Sequence, residues 1–360
     1  MTVPWTLEGH HIPDLARGAA VLGTGGGGDP HIGALLATQA LATHGPVQVV
    51  TVDEVPADAR VVMVAMMGAP TVMIEKLPSL DEVTAPVRAL EPLLDGPITH
   101  IACAEVGGVN STIPIVAAAA LGLPLIDGDA MGRAFPELQM VLPTLSGVAA
   151  SPMAFADDKG NTGILTTVDN VWAERIARAA CIEMGCSVMI SLFPQSGEQL
   201  RETMVAGSLS QAAAIGRAIA AARGANEDPV GRAIDELHGR ELFAGKVIDV
   251  ERATTAGFAR GRARIESDGS VLELSFQNEH LLAQADGVVL ATTPDLIMVL
   301  EHDSGEPITT EGLRYGQRVR VIAAPSDERW HSPEALAMVG PRYFGYDVNP
   351  HRFDGIQEVA

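Results

Sequence analysis

Basic residues are scarce in this chain of 360: 24 Lys and Arg stand against 45 Asp and Glu, a formal net charge of -21. Nucleic acid and anionic membrane surfaces both call for clustered cations, so the balance argues against either as a partner. Cysteine is almost absent. Cys103, Cys181 and Cys186 are odd in number, and their spacing suits neither a disulfide framework nor a zinc cluster, which makes a reducing cytoplasm the expected setting. Long apolar runs are missing too: the longest, Ile113 to Ile126, is too short to span a bilayer and holds two prolines. Met1 to His11 shows no basic region followed by an apolar run, so no secretory leader is expected. Internal repeats and low-complexity tracts are not seen. What is present is ample core material, 47% hydrophobic against 19% charged residues, enough for two folded units.

Three acid-and-glycine segments stand out in the first 140 residues. They are Gly23-Thr24-Gly25-Gly26-Gly27-Gly28-Asp29-Pro30, Glu105-Val106-Gly107-Gly108-Val109-Asn110-Ser111-Thr112, and Asp127-Gly128-Asp129-Ala130-Met131-Gly132. Each falls where a helix is expected to start or a strand to end, the edge at which open α/β sheets bind ligands. Glycine there lets a ligand approach the backbone, helix N-termini offer N–H groups, and carboxylates add acid–base capacity. Glu105, Asp129 and Asp29 are therefore the candidate catalytic groups, and all three carboxylates are expected to face one cleft. Thr24, the glycines 25–28, Gly107, Gly108, Asn110, Ser111 and Asp127 are candidates for holding a small-molecule substrate.

Blander readings stand beside these. Asp29 is also a well-formed N-cap ahead of Pro30, Glu105 to Thr112 also reads as a cap, and Asp127 with Asp129 also reads as a turn. Gly23, Gly25 and Gly28 spell G-x-G-x-x-G with Asp53 downstream, imitating a dinucleotide fingerprint, but the preceding segment is a poor buried strand and four consecutive glycines make such a match easy by chance; nor is the loop a Walker A, since no Gly-Lys-Ser/Thr follows. Glu279-His280 and Glu301-His302-Asp303 could supply ligands to a divalent metal, although a lone His in a β segment is more often an ordinary core or surface residue. Cys103 lacks a basic partner placed by the sequence and is read as inert core.

Patterning predicts helices from Pro30 to His44, Val83 to Leu94, Ile113 to Leu121 capped by Thr112, Asn170 to Met184 capped by Asp169, Leu209 to Arg223 capped by Ser208, and Pro229 to Leu237. Residues 12–22 read as a short helix or as a stretch ending in a strand. Strands are expected at Val47–Val52, Val61–Met67, Ile98–Ala104, Leu123–Ile126, Gly163–Val168 and Ser187–Leu192. This alternation implies an α/β fold with a mostly parallel sheet. From Glu241 the texture changes to short strand-like runs separated by Gly, Asn, Asp and Pro, the signature of an all-β subdomain. The fold class is thus α/β, with an N-terminal, mostly parallel α/β sheet domain and a second α/β unit carrying the all-β part.

The order of these motifs resembles the DUF917 proteins, which are related to the S-methyl thiohydantoin desulfurases and often accompany hydantoinase-type enzymes. The resemblance covers nearly the whole chain and extends to Phe135-Pro136-Glu137-Leu138-Gln139, Thr254-Thr255-Ala256-Gly257-Phe258 and Pro294-Asp295-Leu296-Ile297. It implies an N-terminal domain over residues 1–166 and a C-terminal domain over 167–360, the latter with an α/β part to 240, a β part over 241–324 and a tail that packs back on the body. The reaction it implies is hydrolysis at the carbon between two nitrogens of a five-membered ring, with thiol release. On that reading Glu105 activates water, Asp129 holds or protonates the ring nitrogen, and Asn110 with backbone N–H groups near Gly26 to Gly28 orients the ring. A divalent metal activating the water is an alternative. The expected partners are a small-molecule substrate and further copies of the chain. Rival readings are a nucleotide-dependent enzyme using the glycine loop, a non-catalytic metabolite-binding protein, and a subunit of a hydantoinase-like complex.

Overall fold

The computed structural model describes residues 4–28, 30–68, 78–255 and 258–353. Asp29, expected as a cap and as a catalytic acid, lies outside them, as do the last seven residues of the tail.

The first half alternates strand and helix in the order β1 (Trp5–Leu7), α1 (Ile12–Leu22), α2 (Pro30–His44), β2 (Val47–Thr51), β3 (Arg60–Gly68), α3 (Leu80–Leu90), β4 (His100–Cys103), α4 (Ile113–Leu121) and β5 (Leu125–Asp129). Next come α5 (Leu142–Leu145), β6 (Met153–Ala156), β7 (Thr162–Leu165), α6 (Asn170–Glu183), β8 (Ser187–Ser196), α7 (Gly197–Thr203), β9 (Val205–Ala206), α8 (Ser208–Ala225) and α9 (Pro229–Leu237). Among the described residues these build a nine-stranded sheet in the order β1-β2-β5-β4-β3-β8-β6-β7, with β9 beside β5. Its centre, β2, β5, β4 and β3, is parallel. The strands added outside that centre run antiparallel.

Burial on both faces explains the unbroken apolar run of β3. Val62, Val64 and Met66 enter the core under α1, α2, α4 and α8. Val61, Met63, Ala65 and Met67 enter the core on the other face, with Ala173 and Ala177 of α6. Residues 12–22 are helix, and the reason is packing: Gly18 lies against the backbone of Ala212 and Gly216 of α8 lies against the backbone of Asp14, so α1 and α8 cross at two glycines.

The remaining strands are β10 (Arg240–Thr255), β11 (Phe258–Ser267), β12 (Ser270–Gln277), β13 (Glu279–Ala285), β14 (Val288–Thr292), β15 (Leu296–Glu301) and β16 (Arg318–Ala324). They form a separate antiparallel sheet in the order β14-β13-β12-β11-β10-β16-β15. Its inner face buries Val247, Ile265, Leu272, Leu274, Val299 and Val321. Strand β13 escaped the sequence pattern because it opens on Glu279 and His280 and buries five successive residues instead of alternating. The tail returns to the first unit, where helix α10 (Pro333–Val339) follows Trp330. That indole is fully buried, donates to the Met131 carbonyl at 2.8 Å and stacks edge-on against Phe135.

Three helix starts differ from expectation, the first being α3, which begins at Leu80 behind its cap Ser79 and not at Val83. Thr112 stands at the N-cap of α4 as expected, but with helical backbone angles and with its hydroxyl donated to the Val109 carbonyl, so its side chain makes no cap bond. Gly207, not Ser208, is the N-cap of α8. Asp127 serves that helix from the sheet, accepting the Ser210 N–H at 3.0 Å and the Ser210 hydroxyl at 2.5 Å.

Candidate functional site

The glycine-rich loop joins α1 to α2, not a strand to a helix. The strand–turn–helix context that a dinucleotide fingerprint needs is therefore missing. Thr24, Gly25, Gly27 and Gly28 all take left-handed backbone angles. The loop is held from two sides. The Gly27 carbonyl accepts the Val109 N–H at 2.7 Å, and a Cβ on Gly27 or Gly108 would collide with the other's segment. From the β unit, the His280 N–H donates to the Thr24 carbonyl and the Thr310 N–H to the Gly25 carbonyl, each at 2.8 Å. A Cβ on Gly26 would overlap the Glu279 carboxyl. Most of these glycines thus serve close backbone packing, and only Gly26 and Gly27 reach the cleft.

That cleft encloses about 790 Å³, part of it open to solvent. Its apolar wall includes Met66, Met67, Phe135, Leu138, Ile190 and Phe193. Its polar lining is Glu105, Asn110, Glu137, Arg178, Asn278, Glu279 and Glu311. Both halves of the chain contribute, for Glu279 opens β13 and Glu311 follows β15.

Glu105 leaves the carboxyl end of β4. Asn110 clamps it: the side-chain amide donates to Glu105 Oε1 at 2.5 Å, while its oxygen accepts the Met66 N–H at 2.7 Å. Burial pushes the Glu105 carboxyl up to about 7; the Asn110 hydrogen bond opposes the shift and the nearby Asp129 charge adds to it. Glu279 is raised well above the usual carboxylate range by burial and then by the Glu105 charge, with Arg133 opposing. Its Oε2 is buried with no hydrogen-bond partner among the described residues. Burial raises Glu311 as well.

Arg133 stands behind this wall, fully buried. Its guanidinium donates to the carbonyls of Ala134, Pro294 and Asp295 at 2.8–2.9 Å, to the Thr24 hydroxyl at 3.0 Å and to the His280 carbonyl at 3.4 Å. Burial lowers its pKa to about 10, opposed by the carboxylates of Glu279 and Asp295. His280 is lowered to about 4 by burial, so its ring is neutral and its Nδ1, 2.9 Å from the Thr24 carbonyl, carries the hydrogen.

The three acid–glycine segments do meet, but they divide the work. Glu105, Asn110, Gly26 and Gly27 line the cleft. Asp129 lies outside that lining: its Oδ2 accepts the N–H groups of Val106, Met131 and Gly132 at 2.8–3.0 Å, tying the Glu105 turn to the end of β5. Burial still raises it to about 6. Asp127 caps α8, Ser111 donates to the Gly108 carbonyl at 2.8 Å, and Thr24 is bonded to Arg133. Thr24, Gly25, Gly28, Gly107, Gly108, Ser111 and Asp127 sit behind or beside the wall, outside the lining. Glu301-His302-Asp303 forms an exposed turn in which Glu301 accepts backbone N–H groups. Among the described residues no group of three or more His, Cys, Asp or Glu is placed to hold a metal ion. Cys103 is buried, with its thiol pushed well up by burial.

The reading from sequence missed Glu311, Glu137, Arg178 and Arg133, and took Glu279 only as half of an acid–His pair. Glu279 carried a faint signal as an acid beside a His inside an otherwise apolar stretch. The others look like ordinary surface charges until the chain is folded.

Fold and site together define a two-part protein in which a carboxyl-lined cleft is closed between an α/β sheet and an antiparallel β unit. Residues 10–167 match the S-Me-THD-like N-terminal domain and residues 168–352 the S-Me-THD-like C-terminal domain, so the chain belongs to the S-Me-THD-like family. Among solved structures it is similar to a crystal structure of a protein from Chromobacterium violaceum, with 24% identity, 97% of this chain and 100% of that one covered, and a TM-score of 0.82. That likeness speaks to the fold alone. No functionally curated protein matches the chain.

Proposed function

We propose that the cleft hydrolyses a five-membered nitrogen heterocycle of the S-methyl thiohydantoin or hydantoin-like class, releasing a thiol where the ring carries one. The observation that carries this reading is the pair Glu105 and Glu279, two buried carboxyls lining one cleft, with Glu105 pushed to about 7 and Glu279 well above the usual range. Two acids in such environments divide general base from general acid work near neutral pH. Family membership supports the substrate class.

In the first step ionised Glu105 takes a proton from water as its oxygen bonds to the carbon between the ring nitrogens. The C=N electron pair moves to nitrogen, which takes the proton of Glu279. In the second step the new hydroxyl returns its proton to Glu279 and becomes the carbonyl. The C–S bond breaks, and the departing thiolate takes the proton held by Glu105. Substrate and water become hydantoin and methanethiol, and both carboxyls are reset. Glu279 thereby takes the acid role first read into Asp129, whose Oδ2 is committed to three backbone N–H groups.

The test is thiol release from an S-methyl thiohydantoin by the purified chain. Glu105→Gln should lower kcat by about 10² or more, and Glu279→Gln by a similar factor. Activity in the unaltered protein should rise as pH passes about 7, where Glu105 ionises, and fall again at higher pH as Glu279 loses its proton. Undiminished turnover in Glu105→Gln would remove it as the base. No thiol from the wild type on any such ring would overturn the substrate class.

A further inference from the structure

The stretch from Phe135 to Gln139 belongs to no helix or strand, yet it is gripped from two directions. Four of its residues, Phe135 to Leu138, line the cleft. From α6, Glu174 accepts the Leu138 N–H at 3.0 Å and Arg178 donates to the Pro136 carbonyl at 3.5 Å, while these two side chains pair with each other at 2.5 Å. From the C-terminal tail, the Tyr343 hydroxyl donates to Glu137 Oε2 at 2.8 Å, and the Gln139 amide donates to the same oxygen at 2.6 Å. Burial, and then the bond to Glu137, push the Tyr343 phenol up to about 12, so it stays a donor at neutral pH.

Two donors on Oε2 fix the plane of the Glu137 carboxyl, and its Oε1 has no hydrogen-bond partner among the described residues. The neighbouring Arg178 is engaged elsewhere: it pairs with Glu174, and its guanidinium lies over the Phe258 ring at 4.6 Å. Beside Glu137 in the lining stand Phe135, Leu138 and Val141. A fixed acceptor in an apolar corner is complementary to a flat ring that offers one N–H. In the hydrolysis proposed above, on which this inference rests, Glu279 protonates one ring nitrogen and the other carries a hydrogen. We propose that Glu137 accepts that N–H and so restricts the substrate to rings unsubstituted at nitrogen, with Tyr343 of the tail as the positioning residue that holds the carboxyl. A site built to bond an N–H rejects the analogue that lacks it, because its own acceptor is then left unpaired.

The experiment compares kcat/KM of the full chain for thiol release from an S-methyl thiohydantoin and from its two N-methyl isomers, which keep the C=N and C–S bonds but carry no ring N–H. The wild type should prefer the N–H ring by about 10². In Glu137→Leu that preference should fall to within a few fold, through loss on the N–H ring alone. Glu137→Gln keeps an acceptor without the charge and should retain a preference of about tenfold. Tyr343→Phe removes only the hydroxyl and should cut the preference by several fold. Each preference is a ratio within one preparation, so a loss of folded protein cancels from it. Equal use of the N-methyl rings by the wild type, or an undiminished preference in Glu137→Leu and Glu137→Gln, would overturn the inference and leave the hydrolysis standing. An unchanged preference in Tyr343→Phe would remove the tail from it. A wild type that releases thiol from none of the three rings would overturn the hydrolysis and the inference together.

Discussion

Glu105, the proposed base, shows how burying one carboxyl also bears on stability. In the unfolded chain it ionises near the ordinary value of 4.5, and in the fold only near 7. Between those values the folded state holds a proton that the unfolded state has released, so stability falls as pH rises through that window. Asp129 acts in the same direction, up to about 6. Glu105→Gln keeps an oxygen for Asn110 while removing the charge, and should therefore be more stable than the wild type at pH 8 by up to about 3 kcal/mol. The difference should shrink at pH 5. Denaturant unfolding at the two pH values checks it, and an equal difference at both would contradict burial as the cause of the raised pKa. The same substitution is expected to cost activity, so stability and turnover should move in opposite directions.

At the scale of elements, α1 and α8 touch through Gly18 and Gly216, where a Cβ would fall inside the partner helix's backbone. Gly18→Ala must force the helices apart and should cost on the order of 2 kcal/mol or more, as overpacking does. At Gly224, near the end of the same α8, a Cβ would meet none of the described residues within 4 Å. Gly224→Ala should instead stabilise by about 0.5–1 kcal/mol through helix propensity. Thermal melts of the two variants make the comparison, and destabilisation by both would point to propensity or backbone effects instead of the crossing. In the cleft, Gly26→Ala presses on the Glu279 carboxyl and should lower the proposed thiohydantoin turnover more than Gly45→Ala, a left-handed position where a Cβ would meet none of the described residues within 4 Å. Equal turnover in the two would separate the Gly26 contact from catalysis.

For the molecule as a whole, Arg133 is the rivet. Its donors reach Thr24 in the first unit and the carbonyls of His280, Pro294 and Asp295 in the β unit, and these contacts hold the two walls of the cleft in register. Arg133→Met fills similar volume but leaves several buried acceptors without donors and Glu279 without its facing cation. A loss of about 3–5 kcal/mol is expected, the usual result of removing one partner from a buried charged network. Unfolding followed by Trp330 emission should then separate from the loss of β-sheet signal. A single coincident transition at unchanged midpoint would show that Arg133 does not couple the units.

By itself the sequence determined many of the elements and one corner of the candidate site. Periodicity, glycine stops and prolines at first helical turns are local chemistry, so α2, α4, α9 and the change to strands after Glu241 could be read directly. So could Glu105 and Asn110, which lie five residues apart on one strand-to-helix turn and need no distant contact to come together. Tertiary structure decided the rest. Residues 12–22 became helix because two glycines allow a close crossing with α8. The glycine loop proved to be a packing joint because the β unit presses on it from the far end of the sequence. Asp129 does make the local turn that its sequence suggested, with the N–H groups of Met131 and Gly132, but its third bond, to Val106, and the bond from Asp127 to Ser210 join segments no local pattern links. Glu279 and Glu311 became neighbours of Glu105 only when an antiparallel sheet closed over an α/β edge, for a buried carboxyl takes its character from the walls around it, and those walls are assembled from residues far apart in the chain.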